Sequence, residues 1–415
     1  MSMVEYTVAT EEYHEEIYRL IYDVFSRTEE TLNRHRLASR DPYYKPEHRH
    51  IVKVDGRVVS HVHVTHRVAR IGVARVDIGG IMWVGTAPEH RGKDYGRQLM
   101  MNAISYLKGQ GWVASPLTTS ILDYYRPLGY EAYHDEVWTK VNTLALPKED
   151  ETAFSVVEYS PSDLPEVMSI YDEFYSDWTC TICRTKEYWG WILEHKMPED
   201  LILVAKDKGR AIGYAASTGR DGLLAESANL KGYGQAYYAL LSELRRRLIE
   251  KGTPDLTLSL PLHHPMSCIV RSLGGVTEVR QSGSSGLIKL MKVVGLGAYL
   301  KGITPELERR LLNSPLAGYR GVLGIMHSGE KLSPPEKITL HIEGGKVSVD
   351  GYADVGDVIS GNERPVGQVL IGYRGLAEAC NMGLVKTSSD RALELGSVLF
   401  PSTYPWRSNL DNATG

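Results

Sequence analysis

The chain has 415 residues, too many for one ordinary hydrophobic core, so two or three domains are expected. Hydrophobic residues make up 42% and charged residues 24%, the balance of a soluble globular protein. A formal net charge of −4 excludes the domain-wide positive field of a nucleic-acid binder, so no nucleic-acid partner is expected.

The opening MSMVEYTVATEEYHEEIY has no basic region leading into an apolar stretch, which argues against a signal peptide. An amphipathic helix comes first. Ile17, Leu20, Ile21, Val24 and Phe25 share one face, and Thr10 is a plausible N-cap. A hairpin follows, with residues 51–54 and 58–64 flanking Asp55-Gly56. Strand patterning continues through 73–84. After Pro88 the period changes: Leu99, Met100, Ala103, Ile104 and Leu107 mark a helix ended by Gly109 and Gly111. Residues 113–117 read as a strand, a short helix holds Tyr124 and Tyr125, and strand returns from Tyr130. This is a mixed α/β domain over 1–146, followed by the charged linker 147–151.

A weak repeat then recurs at an offset of 153 residues. Glu5-Tyr6 matches Glu158-Tyr159, and the run from Asp55-Gly56-Arg57 resembles that from Lys208-Gly209-Arg210. A duplicated domain over 153–292 is the expectation. Cys180 and Cys183 form a C-x-x-C without a second pair or a spaced histidine pair, so no zinc or other metal is expected. From 293 to 415 the pattern becomes α+β. A hairpin over 338–349 turns at Gly344-Gly345, a helical stretch covers 369–380, and the apolar ending 399–406 should dock on the protein. No apolar run is long enough for a bilayer, so a cytoplasmic protein without membrane partners is expected.

The chemistry-bearing run is Val84-Gly-Thr86-Ala-Pro88-Glu-His-Arg91-Gly92-Lys93-Asp94-Tyr95-Gly96, between a strand and a helix N-terminus. Free backbone N–H groups and the helix dipole favour a phosphate there. Gly92 and Gly96 let a pyrophosphate approach the backbone, and Arg91 and Lys93 add charge.

This run resembles the pyrophosphate-binding motif [RQ]-x-x-G-x-[GA] of GNAT-superfamily acetyltransferases. Arg91 and Gly96 match, and Asp94 stands where the motif has its first glycine. More narrowly, the three-segment plan, the stretch from Arg184 to Trp191 and the ending 399–406 resemble the enhanced-intracellular-survival (Eis) family. The resemblance implies two tandem GNAT domains, the second degenerate, then a sterol-carrier-protein-like α+β domain. It implies acetyl-CoA as cofactor, with Met82, Trp83 and Val84 offering backbone groups to its acetyl and pantetheine parts. Thr86, Arg91, Gly92, Lys93, Asp94, Tyr95, Gly96 and Ser120 would border the same ligand; Ser120 could equally be a helix N-cap. Tyr125 matches the family's general acid. The family's terminal carboxylate, Gly415 here, or Asp411 in the extended tail, would be the base, with His63, His90, Asp77 and Glu89 as alternatives. Trp83, Trp189 and Trp191 could line an acceptor pocket. Asn229 stands where the second copy would need its arginine, so that copy reads as inactive. The expected activity is N-acetylation of a polyamine, aminoglycoside-like or lysine amine by a homo-oligomer. The alternative is a non-catalytic protein that binds a lipid or acyl ligand and keeps a relic transferase domain.

Overall fold

The computed structural model describes residues 3–25, 27–148, 154–196, 202–218, 222–282 and 286–411. The first segment carries β1 (Val4–Val8), β2 (Arg49–Val54), β3 (Arg57–Ile71), β4 (Ala74–Thr86), β5 (Ala114–Thr119), β6 (Glu131–Ala132) and β7 (Glu136–Asn142). The second carries β8 (Ser155–Glu158), β9 (Thr179–Ile182), β10 (Ile202–Asp207), β11 (Arg210–Ser217), β12 (Leu223–Asn229), β13 (Asp255–Leu258), β14 (Val276–Arg280) and β15 (Ile288–Val293). The third carries β16 (Arg320–His327), β17 (Glu336–Glu343), β18 (Lys346–Gly351), β19 (Val358–Gly361) and β20 (Val385–Thr387). Among the described residues no helix is long and apolar enough to cross a membrane.

The strands form three sheets, and helices pack on all of them. In the first sheet, ordered β1-β2-β3-β4-β5-β15-β6, alternation along β3 sends Val62 and Val64 under the helix Tyr95–Gly109. That helix buries Leu99, Met100, Ala103 and Leu107, the face its spacing predicts. Each large apolar side chain so buried stabilises by about 1.5–3 kcal/mol. The other face of the sheet takes the helix His14–Val24, whose Ile17, Leu20 and Ile21 are buried while Phe25 stays exposed. Thr10 makes no side-chain cap. A 3-10 turn, Glu11–Tyr13, comes between it and the helix, and the Thr10 hydroxyl bonds Glu12 instead. A second helix, Glu29–Ala38, lies on the same side and had no counterpart in the sequence reading.

The same succession occurs twice: helix, hairpin, third strand, long helix, then a strand parallel to the third. In the second segment it runs Leu164–Phe174, β10–β11, β12, Ala236–Glu250 and β13. The matching hairpins turn through two left-handed residues, Asp55 (φ 48) and Gly56 (φ 82), then Lys208 (φ 50) and Gly209 (φ 89). That is the pattern of the type I′ turn, whose twist suits antiparallel strands.

Hydrogen bonding does not follow the boundary near 146 drawn from the sequence. β7 lies before it, yet pairs with β13 and β14 in the second sheet, ordered β14-β7-β13-β12-β11-β10-β8. β15 lies after it, yet inserts between β5 and β6. β9 adds to the far end of β3, pairing Ala69 with Ile182 and Ile71 with Thr179. Apolar alternation makes a segment a strand but does not choose its partner.

The third sheet, β18-β17-β16-β19-β20, contains the expected Gly344-Gly345 hairpin. The expected helix over 369–380 is two, Glu363–Ile371 and Leu376–Asn381, separated at Gly372. This segment is tied to the first by Arg364 to Glu131 (2.7 Å) and by Gln368 to the Ala132 carbonyl (2.6 Å), and to β15 of the second by the buried pair Lys292–Glu363. The tail docks: Trp406 is buried, stacks on Tyr175 at 5.4 Å and donates its backbone N–H to Thr179.

Candidate active site

β3 and β4 run antiparallel but fall out of register where Met82 faces His63 and Gly85 faces His61. Trp83 and Val84 together oppose the single residue Val62, and Trp83 takes a left-handed conformation (φ 52). This β-bulge bends β4 and leaves backbone groups outside the ladder. On its other edge β4 pairs in parallel with β5 only at Ile78–Ala114 and Ile81–Leu117. Beyond those pairs the two strands have no mutual register, so Met82, Trp83 and Val84 present an unpaired strand edge to an extended ligand.

The loop after β4 reaches the helix Tyr95–Gly109 through Pro88–His90 and Arg91. Its N-cap residue, Asp94, supplies no side-chain acceptor to the first turn, which leaves those N–H groups open to an anion. Asp94 is left-handed (φ 65), which explains why the motif has glycine there. Its carboxylate turns along the exposed surface to Arg97 at 2.9 Å. Arg91 and Lys93 are exposed, and Arg91 Nε donates to the Thr86 carbonyl at 3.2 Å. Thr86 Oγ1 lies 2.8 Å from Ser60 Oγ. A Cβ on Gly96 would sit 3.1 Å from both Thr86 Oγ1 and the Tyr124 hydroxyl, so the helix approaches its neighbours closely only because the residue is glycine.

Tyr124 links this loop to Tyr125, whose ring it meets edge-on at 4.9 Å. Tyr125 is buried in the short helix Leu122–Tyr125 and also faces Tyr130. Burial, then the neighbouring Tyr124, raises the Tyr125 phenol above its ordinary pKa, and burial pushes Tyr124 up to about 12. Both are protonated at neutral pH. Ser120 is exposed just after β5, and the N-cap of that short helix is Ile121 rather than Ser120.

A splayed parallel pair, a bulged strand and an open helix N-terminus now stand together. Residues 5–133 match a family model described as an acetyltransferase (GNAT) domain. Three solved structures share the fold over almost their whole length, each at 16% identity. A conserved protein from Enterococcus faecalis V583, titled a probable N-acyltransferase, gives a TM-score of 0.78 and covers 98% of this chain and 99% of its own. A GCN5-related N-acetyltransferase from Kribbella flavida gives 0.77, covering 99% and 98%. Eis1 from Mycobacterium abscessus gives 0.69, covering 98% and 99%. Among curated protein sequences nothing matches. The first segment thus has the GNAT fold, within a multidomain α/β chain of that overall architecture.

Beside the splay of the GNAT domain lies a cavity of about 280 Å³. Thr65 and Arg67 of β3, Met82 and Trp83 of β4, and Arg407 and Asp411 of the tail line it. Two site residues expected from opposite ends of the sequence, Trp83 and Asp411, therefore line one cavity. Asp411 is buried and accepts from Arg184 Nε at 2.8 Å and Nη2 at 3.0 Å; Arg184 also grips Glu226 at 2.9 and 2.6 Å. Burial raises the Asp411 pKa, against the pull of Arg184. Gly415 lies outside the described residues.

Of the other suggested bases, Asp77 is held by His66 at 2.6 Å and is exposed. Glu89 is exposed in the loop, and His90 packs its ring near Tyr95. His63 is buried on the same side of β3 as Thr65 and Arg67, with Nδ1 unpartnered. Trp189 and Trp191 are core residues that do not line the cavity; the Arg184 guanidinium lies over the Trp189 ring at 4.6 Å. Arg67 and Glu226 were missed from sequence. The available signal was His61, His63, Thr65 and Arg67, four polar residues at alternate positions of one strand, three of them buried.

Behind Trp83 sits a buried polar cluster. His61 Nδ1 donates to the Trp83 carbonyl at 2.9 Å, and the His35 ring meets the Trp83 ring at 5.2 Å. Arg49, wholly buried, contacts His35 Nε2 at 2.7 Å and donates to Ser39 at 2.7 Å and Tyr44 at 3.0 Å. Burial first, and Arg49 second, hold His35, His61 and His63 well below the ordinary imidazole pKa.

In the second segment the loop between strand and long helix is shorter, 230–235 against 87–94. Asn229 is buried at the end of β12, with no counterpart to the exposed Arg91.

Proposed function

We propose that this chain is an acetyl-CoA-dependent N-acetyltransferase, with one cofactor site, in the first segment. The observation that carries the reading is the continuity of the unpaired β4 edge with the Arg91–Gly96 helix N-terminus on one side and the 280 Å³ cavity on the other. The residues fit such a cofactor. Open first-turn N–H groups, Arg91 and the close approach at Gly96 suit a pyrophosphate. The β4 edge suits an extended amide-bearing arm. When bound, acetyl-CoA supplies an acetyl group activated as a thioester.

The chain's own groups then hold, orient and move protons. Backbone N–H groups at the bulge around Trp83 stabilise charge on the acetyl oxygen. Tyr125, neutral well past pH 7, gives its phenolic proton to the departing sulfur. Asp411, whose proton affinity is raised by burial, takes the proton of the acceptor amine. Ser120 and Lys93 border the outer part of the site. The second segment, lacking an arginine in its shorter loop, has no cofactor role. The acceptor is a small amine, and assembly into a homo-oligomer in the cytoplasm accords with the Eis resemblance.

The test is titration calorimetry of the full chain with acetyl-CoA, joined to thiol release with an amine panel. One site per chain and amine-dependent thiol release are expected. Absence of acetyl-CoA binding, or two equivalent sites, would refute the reading.

A further inference from the structure

We infer that His61 and Arg49 are positioning residues for acetyl transfer, which together aim and polarise the Trp83–Val84 peptide so that its N–H stabilises charge on the acetyl oxygen. This rests on the acetyltransferase reading and adds to it two side chains that touch neither cofactor nor acceptor.

Three observations carry it. First, the partners of His61 fix its protonation. The Trp83 carbonyl can only accept, so Nδ1 carries the proton of the 2.9 Å bond. The Arg49 guanidinium can only donate, so Nε2, 3.5 Å from Nη1, is the acceptor. His61 is therefore a buried neutral ring with its donor end aimed at β4 and its acceptor end at a cation.

Second, the Trp83 backbone is strained and its peptide has a set direction. A bulky residue at φ 52 persists only where its surroundings hold it. His35 and Phe25 brace the Trp83 ring edge-on, each at 5.2 Å, and His61 braces the carbonyl. Among the described residues every peptide bond is trans, so the Val84 N–H points opposite to that carbonyl. It therefore points away from His61 of β3, toward the side on which β4 and β5 have no register.

Third, Arg49 is a buried cation without an anion. It is wholly buried, and its side-chain partners among the described residues are all neutral: Tyr44, His35, Ser39 and His61. Burying a charge without a counter-ion costs stability, so a fold that keeps one asks for a reason beyond packing. Acetyl transfer supplies transient negative charge on the acetyl oxygen. Guanidinium, imidazole and peptide form a line of dipoles pointing that way, each link polarising the next. The cation then favours the transition state over the ground state.

In the step itself the neutral amine nitrogen bonds to the acetyl carbon, and the carbonyl π pair moves onto oxygen. The pair returns as the carbon–sulfur bond breaks. The amine proton passes to Asp411, and sulfur takes a proton from Tyr125. His61 and Arg49 exchange no proton in it.

The test is infrared spectroscopy of acetyl-CoA, isotopically labelled at its carbonyl carbon, bound to the full chain. Turnover and calorimetric affinity are measured beside it. On the unaltered chain the thioester carbonyl should stretch at lower frequency than in water; an unshifted or raised frequency would overturn the proposal. His61→Leu should return the frequency toward its value in water. It should also lower kcat by about tenfold or more, the scale of one hydrogen bond to a charged group, with Kd kept within about twofold. His61→Asn places an amide N–H near the position of Nδ1 and should recover most of both losses. Arg49→Gln keeps N–H donors without the charge and should move the frequency in the same direction; it stands as the second variant should His61→Leu fold poorly. Unchanged frequency and kcat in either folded variant would overturn the assignment. So would a joint loss of kcat and acetyl-CoA affinity that His61→Asn does not recover, the mark of a purely structural tie. Failure of the unaltered chain to bind acetyl-CoA refutes the acetyltransferase reading instead, so the two failures are distinct.

Discussion

Arg184 and Asp411 stand 227 residues apart in sequence and close a two-pronged ion pair with no solvent exposure of either side chain. Glu226 takes the remaining face of the same guanidinium, and Tyr214 donates to Glu226 at 2.7 Å. Two carboxylates thus share one arginine. Asp411 fastens the tail beside the cavity, and burial raises its proton affinity against the pull of Arg184.

These two roles separate by substitution. Arg184→Ala strands two buried carboxylates and should destabilise the fold by about 3–5 kcal/mol in denaturant unfolding. Asp411→Asn keeps the shape and leaves Arg184 its Glu226, so the stability loss should be smaller. Its kcat should fall roughly 10²–10⁴-fold with acetyl-CoA affinity retained. Retention of full turnover by a folded Asp411→Asn would move the base elsewhere, with His63 next in line.

Arg91→Ala should weaken acetyl-CoA binding by about 1.5–3 kcal/mol, since a charged donor at a phosphate is lost. Arg91 is exposed and only one weak backbone bond goes with it, so melting temperature should hardly change. Calorimetry on the variant checks both the size and the specificity of the effect.

Asp94→Gly should leave cofactor affinity within a few-fold of the parent. The carboxylate already points along the surface to Arg97, and an exposed pair of this kind contributes little. The left-handed backbone favours glycine, so stability should hold or rise by up to about 1 kcal/mol. Tightening of several kcal/mol would show that the carboxylate opposes the pyrophosphate.

How much of this was legible in the sequence depends on what each step requires. The strand, glycine-rich loop and helix over 84–109 follow local rules, and the structure has them. The face of that helix and the turn at Gly344-Gly345 were equally readable. The pairing of β7 and β15 was not, because alternation is blind to which edge a strand meets. Arg67 and Glu226 were hidden for another reason. A buried charge is recognisable only once its partner, tens or hundreds of residues away, is folded against it. The stretch 369–380 has apolar spacing on both sides of Gly372, so period alone does not show the break, which is made by the left-handed glycine that caps the first helix (φ 82).

Tyr125→Phe should reduce kcat by about 10²–10⁴-fold while acetyl-CoA affinity is kept, because the hydroxyl acts as the sulfur leaves. Its raised pKa keeps the acid form present through and beyond the ordinary tyrosine range. The pH–rate profile should therefore show no fall near pH 10 assignable to this group. A falling limb there that vanishes in Tyr125→Phe would contradict the burial-raised acid.

Acid should destabilise the fold through its buried imidazoles. His35, His61, His63 and His134 are held well below 6.5, and His264 near 3, each mainly by burial. Below about pH 6.5 the unfolded chain binds protons at these positions and the folded chain does not, so stability falls with pH, by up to about 1.4 kcal/mol per unit for each. Denaturation midpoints should drop between pH 7 and 5. His61→Asn should flatten that slope; an unchanged slope would show that the cluster protonates without cost.

The exchange of β7 and β15 between sheets bears on how the protein is made. On a ribosome, the first 132 residues can pair β1 to β5 of the first sheet, but β6 has no partner in it until β15, ending at residue 293, has been added. Meanwhile β7 waits for β13 and β14, more than a hundred residues downstream. During that interval the nascent chain carries an open strand edge on each side of residue 135, the kind of edge that invites pairing with a second copy. Fragments ending near residue 146 should therefore aggregate rather than fold.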